Sequence, residues 1–437
     1  MVKIYHKLVW QFAPGVMWLA LCGCHSTGYL FHERDPRVSE KITRALAVHR
    51  FIPDDPAEYD VVWQHRPARR KIIISKPHWV VPSANLPRSL PLGRSNNNVS
   101  IAIHNHKLYL AFRTGRTHFA SRKSGLYVIS TCDGHKWDKE LSIFPGHDVR
   151  EPFLAVINDT LHLYYFEAGK NPFAFQPRHV KCVVMEDDGK WSTPTEVLSP
   201  GEVPWSMKKR RGAVYLSSYA GSHYRLRGKH PVKLYFKKTK NGKHFTAAAC
   251  RDEVYTGGVS EADFEFDREG NLWAVGRLED GDQTGFGTQI FFASKDNLCH
   301  WQYNDTAEPH CYMSPRLFRQ GEDIYLIGRK HLGRKPFART ARHKPMARQR
   351  LRNWIGYSLS PKTTALYRIN RQTRRAEWIM DLPGAGDNCF PSLVRLDENR
   401  LLLANYSSPL MHRKRTWLGG QLRRTGIYLL LIEFLDE

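Results

Sequence analysis

From about residue 91 onward the apolar positions fall into one recurring phrase: a polar cluster, a short apolar run, a turn, then a second run rich in Leu and Tyr. It reads RSNNNVSIAIHNHKLYLAFRTG, REPFLAVINDTLHLYYFEAG, EVPWSMKKRRGAVYLSSYAG, SEADFEFDREGNLWAVGRLED, SPRLFRQGEDIYLIGRK and DNCFPSLVRLDENRLLLANYSSP. Short apolar runs punctuated by Gly, Asn, Asp and Pro predict strands, and no long amphipathic helical pattern interrupts them. With Asn97, Arg150, Glu202, Glu261, Arg316 and Asn388 taken as equivalent positions, the steps are 53, 52, 59, 55 and 72 residues. Each step accommodates four short strands with their loops, the content of one propeller blade. The expected fold is therefore all-β, a six-bladed β-propeller of four-stranded blades over residues 91–437, preceded by a polar lead-in (25–90) packing on it. The last step is long because residues 329–352, RKHLGRKPFARTARHKPMARQRLR, form a basic insertion with ten Lys and Arg and no acid. Such a run predicts either a disordered loop or an anion-binding lid.

The N-terminus breaks the pattern. MVKIYHK supplies a positive start and LVWQFAPGVMWLALCG an apolar stretch, as in a secretory signal peptide over residues 1–24. Its LCGC end resembles a bacterial lipobox, which implies lipidation of Cys24 and attachment at the cell envelope, on the periplasmic or outer-membrane face. An uncleaved membrane anchor and a misplaced start codon are the competing readings.

Composition changes the picture in two respects. Sixty-six Lys and Arg against 42 Asp and Glu give a net charge of +24, which attracts polyanions or simply keeps a surface solvated. No nucleic-acid module accompanies that charge, so nucleic acid is not an expected partner. The cysteines beyond Cys24 show no CxxC spacing, which predicts no zinc site, no other metal or cofactor, and no disulfide framework in a chain long enough to bury its own core.

Several units end in a turn followed by an aromatic residue: ISTCDGHKW, MEDDGKW, KKTKNGKHF and ASKDNLCHW. These resemble the Asp-box (BNR) turns of sialidase-type propellers, in which Asp accepts backbone N–H bonds, Gly supplies positive φ and the aromatic residue plugs the gap between sheets. Residues 131–137 are the nearest match. In phase with the six-fold repeat, they make residues 91–434 similar to the sialidase-like superfamily. SNNNVSIA, GVSEADFEFD, SPRLF, KTTALYRI, AGDNCFPSLV and ANYSSPL further resemble an uncharacterised bacterial branch of it. The resemblance implies a glycan or other anionic or hydroxyl-rich ligand, and a monomeric glycoside hydrolase or, alternatively, a non-catalytic binding propeller.

In such a fold the starts of the innermost strands and the loops after the second strands converge on the upper mouth of the central channel. The strand starts bring Arg94, Asn97, Asn98, Arg150, Glu151, Glu202, Trp205, Glu261, Asp263, Arg316, Asp387 and Asn388. The loops add His118, Arg277 and Tyr406. Sialidases grip a carboxylate with three Arg, use an Asp as acid/base, and pair a nucleophilic Tyr with Glu. Here SNNNVSIAI stands where the first Arg is expected, only Arg150 and Arg316 sit at comparable places, and Phe390 occupies the place of the Tyr. The expected catalytic groups are therefore carboxylates, Glu261 and Asp263, one of them working with Glu151, Glu202 or Asp387 across the channel. The remaining residues are expected to bind substrate. The competing reading is that pairs such as Glu261 and Arg277 are structural salt bridges.

Overall fold

The computed structural model describes residues 40–44, 70–169, 176–210, 212–221, 224, 231–333 and 338–436. The signal segment, Cys24 and most of the lead-in lie outside these residues.

Six antiparallel sheets form the blades of a propeller. The first blade runs Ser95–His104, Lys107–Gly115, Gly125–Thr131, Asp138–Ile143, and the second Val149–Ile157, Thr160–Glu167, Val180–Val184, Thr195–Glu196. The third runs Val203–Arg210, Ala213–Gly221, Val232–Thr239, Phe245–Ala247, and Glu253–Gly257 also pairs with its Val232–Thr239 strand. The fourth runs Ala262–Phe266, Leu272–Asp282, Gly285–Ala293, Gln302–Tyr303, and the fifth Met313–Gln320, Asp323–His331, Lys362–Asn370, Arg375–Leu382. The sixth takes Ser392–Arg395, Arg400–Ser407 and Gly426–Asp436 from the C-terminal end of the chain and its outermost strand, Arg70–Ile74, from the lead-in, in the register Arg70↔Asp436 to Ile74↔Ile432. The ring is thus closed by pairing early and late chain segments, and the sixth sheet begins before residue 91.

The first two strands of each blade are nearly continuously buried, because neighbouring sheets cover both faces. Between the third and fourth blades Phe236, Phe264, Phe291 and Trp301 pack ring to ring with centroids 5.0–5.5 Å apart. The outer turns are closed by side chains: at Thr131–Trp137, Asp133 Oδ1 accepts from His135 and Lys136 N–H at 2.8 and 3.0 Å, Gly134 takes φ 78°, and Trp137 is buried. Asn241 plays the same part beside Gly242 (φ 74°) in the third blade. Cys250 and Cys299 are joined in a disulfide that ties the end of the third blade to the fourth, contrary to the expectation of none.

The end of the basic insertion and the residues that follow it form a helix, Met346–Ser358, whose buried face carries Gln349, Asn353, Trp354 and Tyr357. It lies over the upper side of the fourth and fifth blades, with Arg350 Nε donating to Asp280 O at 2.7 Å and Trp354 against Tyr224.

Candidate functional site in the central channel

Four innermost strands begin on an irregularity that re-aims a side chain. Register shifts fall at Asn97/Val99, Arg150/Phe153, Pro204/Ser206 and Met313/Arg316. Asn98 (φ 48°), Glu151 (φ 56°) and Ser314 (φ 52°) sit in them with left-handed backbone, as does Cys389 (φ 72°) at the start of the sixth blade. For residues other than Gly this conformation costs about 1–3 kcal/mol each, and bulges of this kind commonly turn side chains toward a site.

The floor of the channel is an ion-pair plug. Lys208 Nζ donates to Phe264 O (2.5 Å) and Leu317 O (2.7 Å) and lies 3.0 Å from Asp263 and 3.9 Å from Glu265. Asp263 also accepts from Leu317 N at 2.6 Å and from Ser206 Oγ, with Arg316 Nη1 at 3.5 Å. All of these side chains are fully buried. Asp263 therefore faces the channel, but one step deeper than Glu261 and saturated by its counter-ion. Arg316 is committed to Pro391 O at 3.0 Å and to Asp263, so it too belongs to the plug. Burial pulls the Lys208 ammonium down, and Asp263 and Glu265 only partly offset it. Just above, Trp205 of the third blade meets Phe390 of the opposite, sixth blade at 6.3 Å between centroids, and Phe390 leans on Tyr406.

The upper mouth carries three clusters. In the first, Glu261 accepts from Arg277 and, at 3.0 Å, from Ser314 N, while Arg277 also pairs with Glu279. Glu151 reaches the same region from the second blade. Burial raises the Glu151 carboxyl well above its ordinary range, the charge of Glu261 adds to the rise, and Arg277 opposes it. Burial also raises Glu261, against the pull of Arg277.

In the second cluster, Asp387 joins His118 Nδ1 (2.6 Å) and the Tyr406 hydroxyl (2.7 Å). Burial lowers His118 more than Asp387 raises it, so the neutral ring donates Nδ1–H. In the third, Asp148 links Arg113 (2.7 Å) to Arg150, which also donates to His118 O at 3.0 Å. Burial pushes Asp148 up, but Arg113 and Arg150 outweigh it and hold it below the usual range.

The other predicted residues divide. Glu202 turns into its own blade, where both carboxylate oxygens accept from Lys237 at 2.8 Å. Asn388 is spent on Thr364, Lys362 O and Gly386 O between the fifth and sixth blades. Arg94 is exposed to solvent, outside the channel. Asn97 and Asn98 are buried at the first bulge. Asn97 Oδ1, Trp205 Nε1, Ser260 Oγ and Ser314 Oγ are buried with no hydrogen-bond partner among the described residues, so each awaits a water or a ligand hydroxyl. Lys208, Asp148 and the helix residue Tyr357, whose hydroxyl accepts from Arg329 at 2.7 Å, were not anticipated. Leu351, Trp354 and Ile355, at helical spacing, were the available signal for the helix. Among the described residues no three His, Cys, Asp or Glu side chains gather as a metal site requires.

The upper mouth is roofed. Helix Met346–Ser358 meets Trp417–Gln421 through the Tyr357 and Trp417 rings at 5.0 Å, and Gln421 O accepts from His118 N. Beneath the helix a void of about 10 Å³, against Glu279, Trp354 and Tyr357, has room for one water.

Comparison with solved structures settles the architecture. A protein of unknown function from Dyadobacter fermentans superposes with a TM-score of 0.52 at 16% identity, covering 78% of this chain and 96% of the other. The phage phi92 endosialidase gives 0.54 at 10% identity, covering 84% of this chain and 70% of its own. The fold is that of a sialidase-like six-bladed β-propeller. A Trypanosoma rangeli sialidase superposes at 0.49 with 11% identity over 78% of this chain, which spans about half (55%) of that larger protein. No known family profile and no curated protein matches the sequence. At these identities the likeness is one of fold, and any activity must be argued from the site.

Proposed function

We propose that this propeller acts on glycans as a glycoside hydrolase, with Glu151 and Glu261 as its carboxyl pair. The observation that carries the reading is the convergence of these two buried carboxyls from the second and fourth blades on Arg277, Glu151 being held there on a left-handed backbone. Glycosidases need one protonated and one ionised carboxyl. Burial and the charge of Glu261 together raise Glu151 well above its ordinary range, so it keeps its proton and serves as general acid to the leaving oxygen. Glu261, gripped by Arg277, ionises first and serves as base or nucleophile. Asn97, Trp205, Ser260 and Ser314 offer unsatisfied polar atoms to sugar hydroxyls. The phage phi92 endosialidase, a neighbour in fold, fits the reading. Export and lipidation at Cys24 complete it, and the Cys250–Cys299 bridge suits an oxidising compartment.

One observation favours the non-catalytic alternative: both carboxyls are wholly buried, so a substrate needs the roof to move. Reducing-end release from a panel of sialylated, arabinan and envelope glycans, with binding to the same immobilised glycans, separates the two. Hydrolysis lost by at least about a hundredfold in both Glu151→Gln and Glu261→Gln, with binding kept, supports the assignment. Turnover undiminished in both variants removes it, and binding without turnover in the wild type establishes the alternative.

A further inference from the structure

The end of the channel opposite the carboxylates has the reverse chemistry. There the innermost strands of the third, fifth and sixth blades finish at Arg210, Arg319–Gln320 and Arg395, and the first turn of the fourth blade places Arg268 beside them. Together they surround a cavity of about 480 Å³ whose only lining carboxylate among the described residues is Glu398. That volume falls within the range of small-ligand sites.

The guanidinium groups are preset to different degrees. Arg210 is clamped on Glu265, Nε to Oε1 at 2.7 Å and Nη2 to Oε2 at 2.5 Å, and its side chain keeps 20% of its surface exposed. Arg395 is fixed by neutral acceptors, Gln320 Oε1 (2.8 Å), Glu398 O (2.9 Å) and Arg319 O (2.7 Å). Arg319 is half-buried, and its guanidinium has no hydrogen-bond or carboxylate partner among the described residues. Arg268 is exposed on the rim and pairs with Glu322. A half-buried guanidinium between two immobilised ones is a fork awaiting oxyanions, and planar bidentate pairing is the geometry that phosphate oxygens satisfy.

We propose that this lower mouth binds a phosphate group, with Arg319 as its principal ligand and Arg395 and Arg210 as the fixed walls. The site is separated from the upper carboxyls by the Lys208 plug and the Trp205–Phe390 contact, so it binds independently of the glycan-cleaving reading. The phosphate could belong to a soluble sugar phosphate or to a lipid headgroup, and the test has one arm for each.

Titration calorimetry at low salt with inorganic phosphate and with a hexose 6-phosphate, and flotation with vesicles containing phosphatidylglycerol or only phosphatidylcholine, use the full chain. Expected is binding in at least one phosphate arm, weakened at least about tenfold by Arg319→Ala, partly restored by Arg319→Lys, and suppressed by raising salt. Glu151→Gln is expected to bind as the wild type does, which keeps this site distinct from the upper one. Binding of the hexose phosphate identifies a soluble ligand, and flotation on phosphatidylglycerol alone identifies a lipid headgroup. No binding in either arm, or equal binding by the wild type and Arg319→Ala, overturns the proposal.

Discussion

The deepest acid of the channel, Asp263, tests whether its role is structural. At 3.0 Å, with an effective dielectric of about 20, the Lys208–Asp263 attraction is roughly 5–6 kcal/mol before desolvation is subtracted. Breaking a buried pair from one side typically costs about 3–5 kcal/mol, because the other charge is stranded. Asp263→Asn strands Lys208 with Glu265 at 3.9 Å; Lys208→Met strands Asp263 with Arg316 at 3.5 Å and leaves Phe264 O and Leu317 O without their donor. Each single variant should therefore lose about 3–5 kcal/mol. At about 2.1 cal/mol/K per residue over roughly 370 residues, that is a fall in Tm of about 4–6 °C. The double variant places Met beside a neutral amide and should recover part of the loss, a coupling of at least about 2 kcal/mol. Urea unfolding followed by Trp fluorescence and circular dichroism measures the cycle. Singles that cost under about 1 kcal/mol, or a strictly additive double, would refute the plug. So would an Asp263→Asn protein of native stability that had lost turnover, which would return Asp263 to the chemistry.

Glu151 should cost stability as pH rises: its folded carboxyl titrates above its ordinary 4.5, so its contribution is complete below that value and is lost as pH climbs through the folded one. Glu151→Gln should thus gain Tm relative to the wild type between pH 5 and pH 8, and a pH-independent difference would contradict the burial argument. Asp148 has the opposite sign, since Arg113 and Arg150 hold it below 3.8 against burial; its stabilisation is full at neutral pH and disappears as pH falls through the folded value, so Asp148→Asn should flatten the acid limb of the unfolding curve. Reducing Cys250–Cys299 releases a loop of 49 residues, and loop-closure entropy sets the loss at up to about 4 kcal/mol; an unchanged urea midpoint under reductant would show that the bridge does not form. Cys24→Ser should abolish lipid labelling and membrane retention, and membrane attachment unaltered by this change would sink the lipoprotein expectation.

The blade count was legible because each blade repeats the same physical problem: a strand buried on both faces, a turn, and a second buried strand. The tilt of side chains within the channel was less legible, and KKRR in the third blade shows why. A run of four cations reads as a solvated patch, yet strand alternation sends Lys208 inward, Lys209 outward and Arg210 inward again. The same period of two puts Glu261, Asp263 and Glu265 in one column facing the channel. Spacing alone therefore found the right side, but each member acquires its role from a different blade. Arg277 meets Glu261 from the next strand, Lys208 meets Asp263 from the third blade, and Arg210 covers Glu265 at the lower mouth. Only Glu261 lies at the level where Glu151 arrives, and the arrival of Glu151 depends on a left-handed glutamate that no propensity would assign. A feature that strains the backbone to deliver a carboxyl beside another carboxyl raises the energy of the fold twice, by conformation and by charge. Neither cost is needed to close a propeller, since the plug below already fills the axis. Such a position is where a sequence-derived rule should fail if the upper mouth is selected for chemistry.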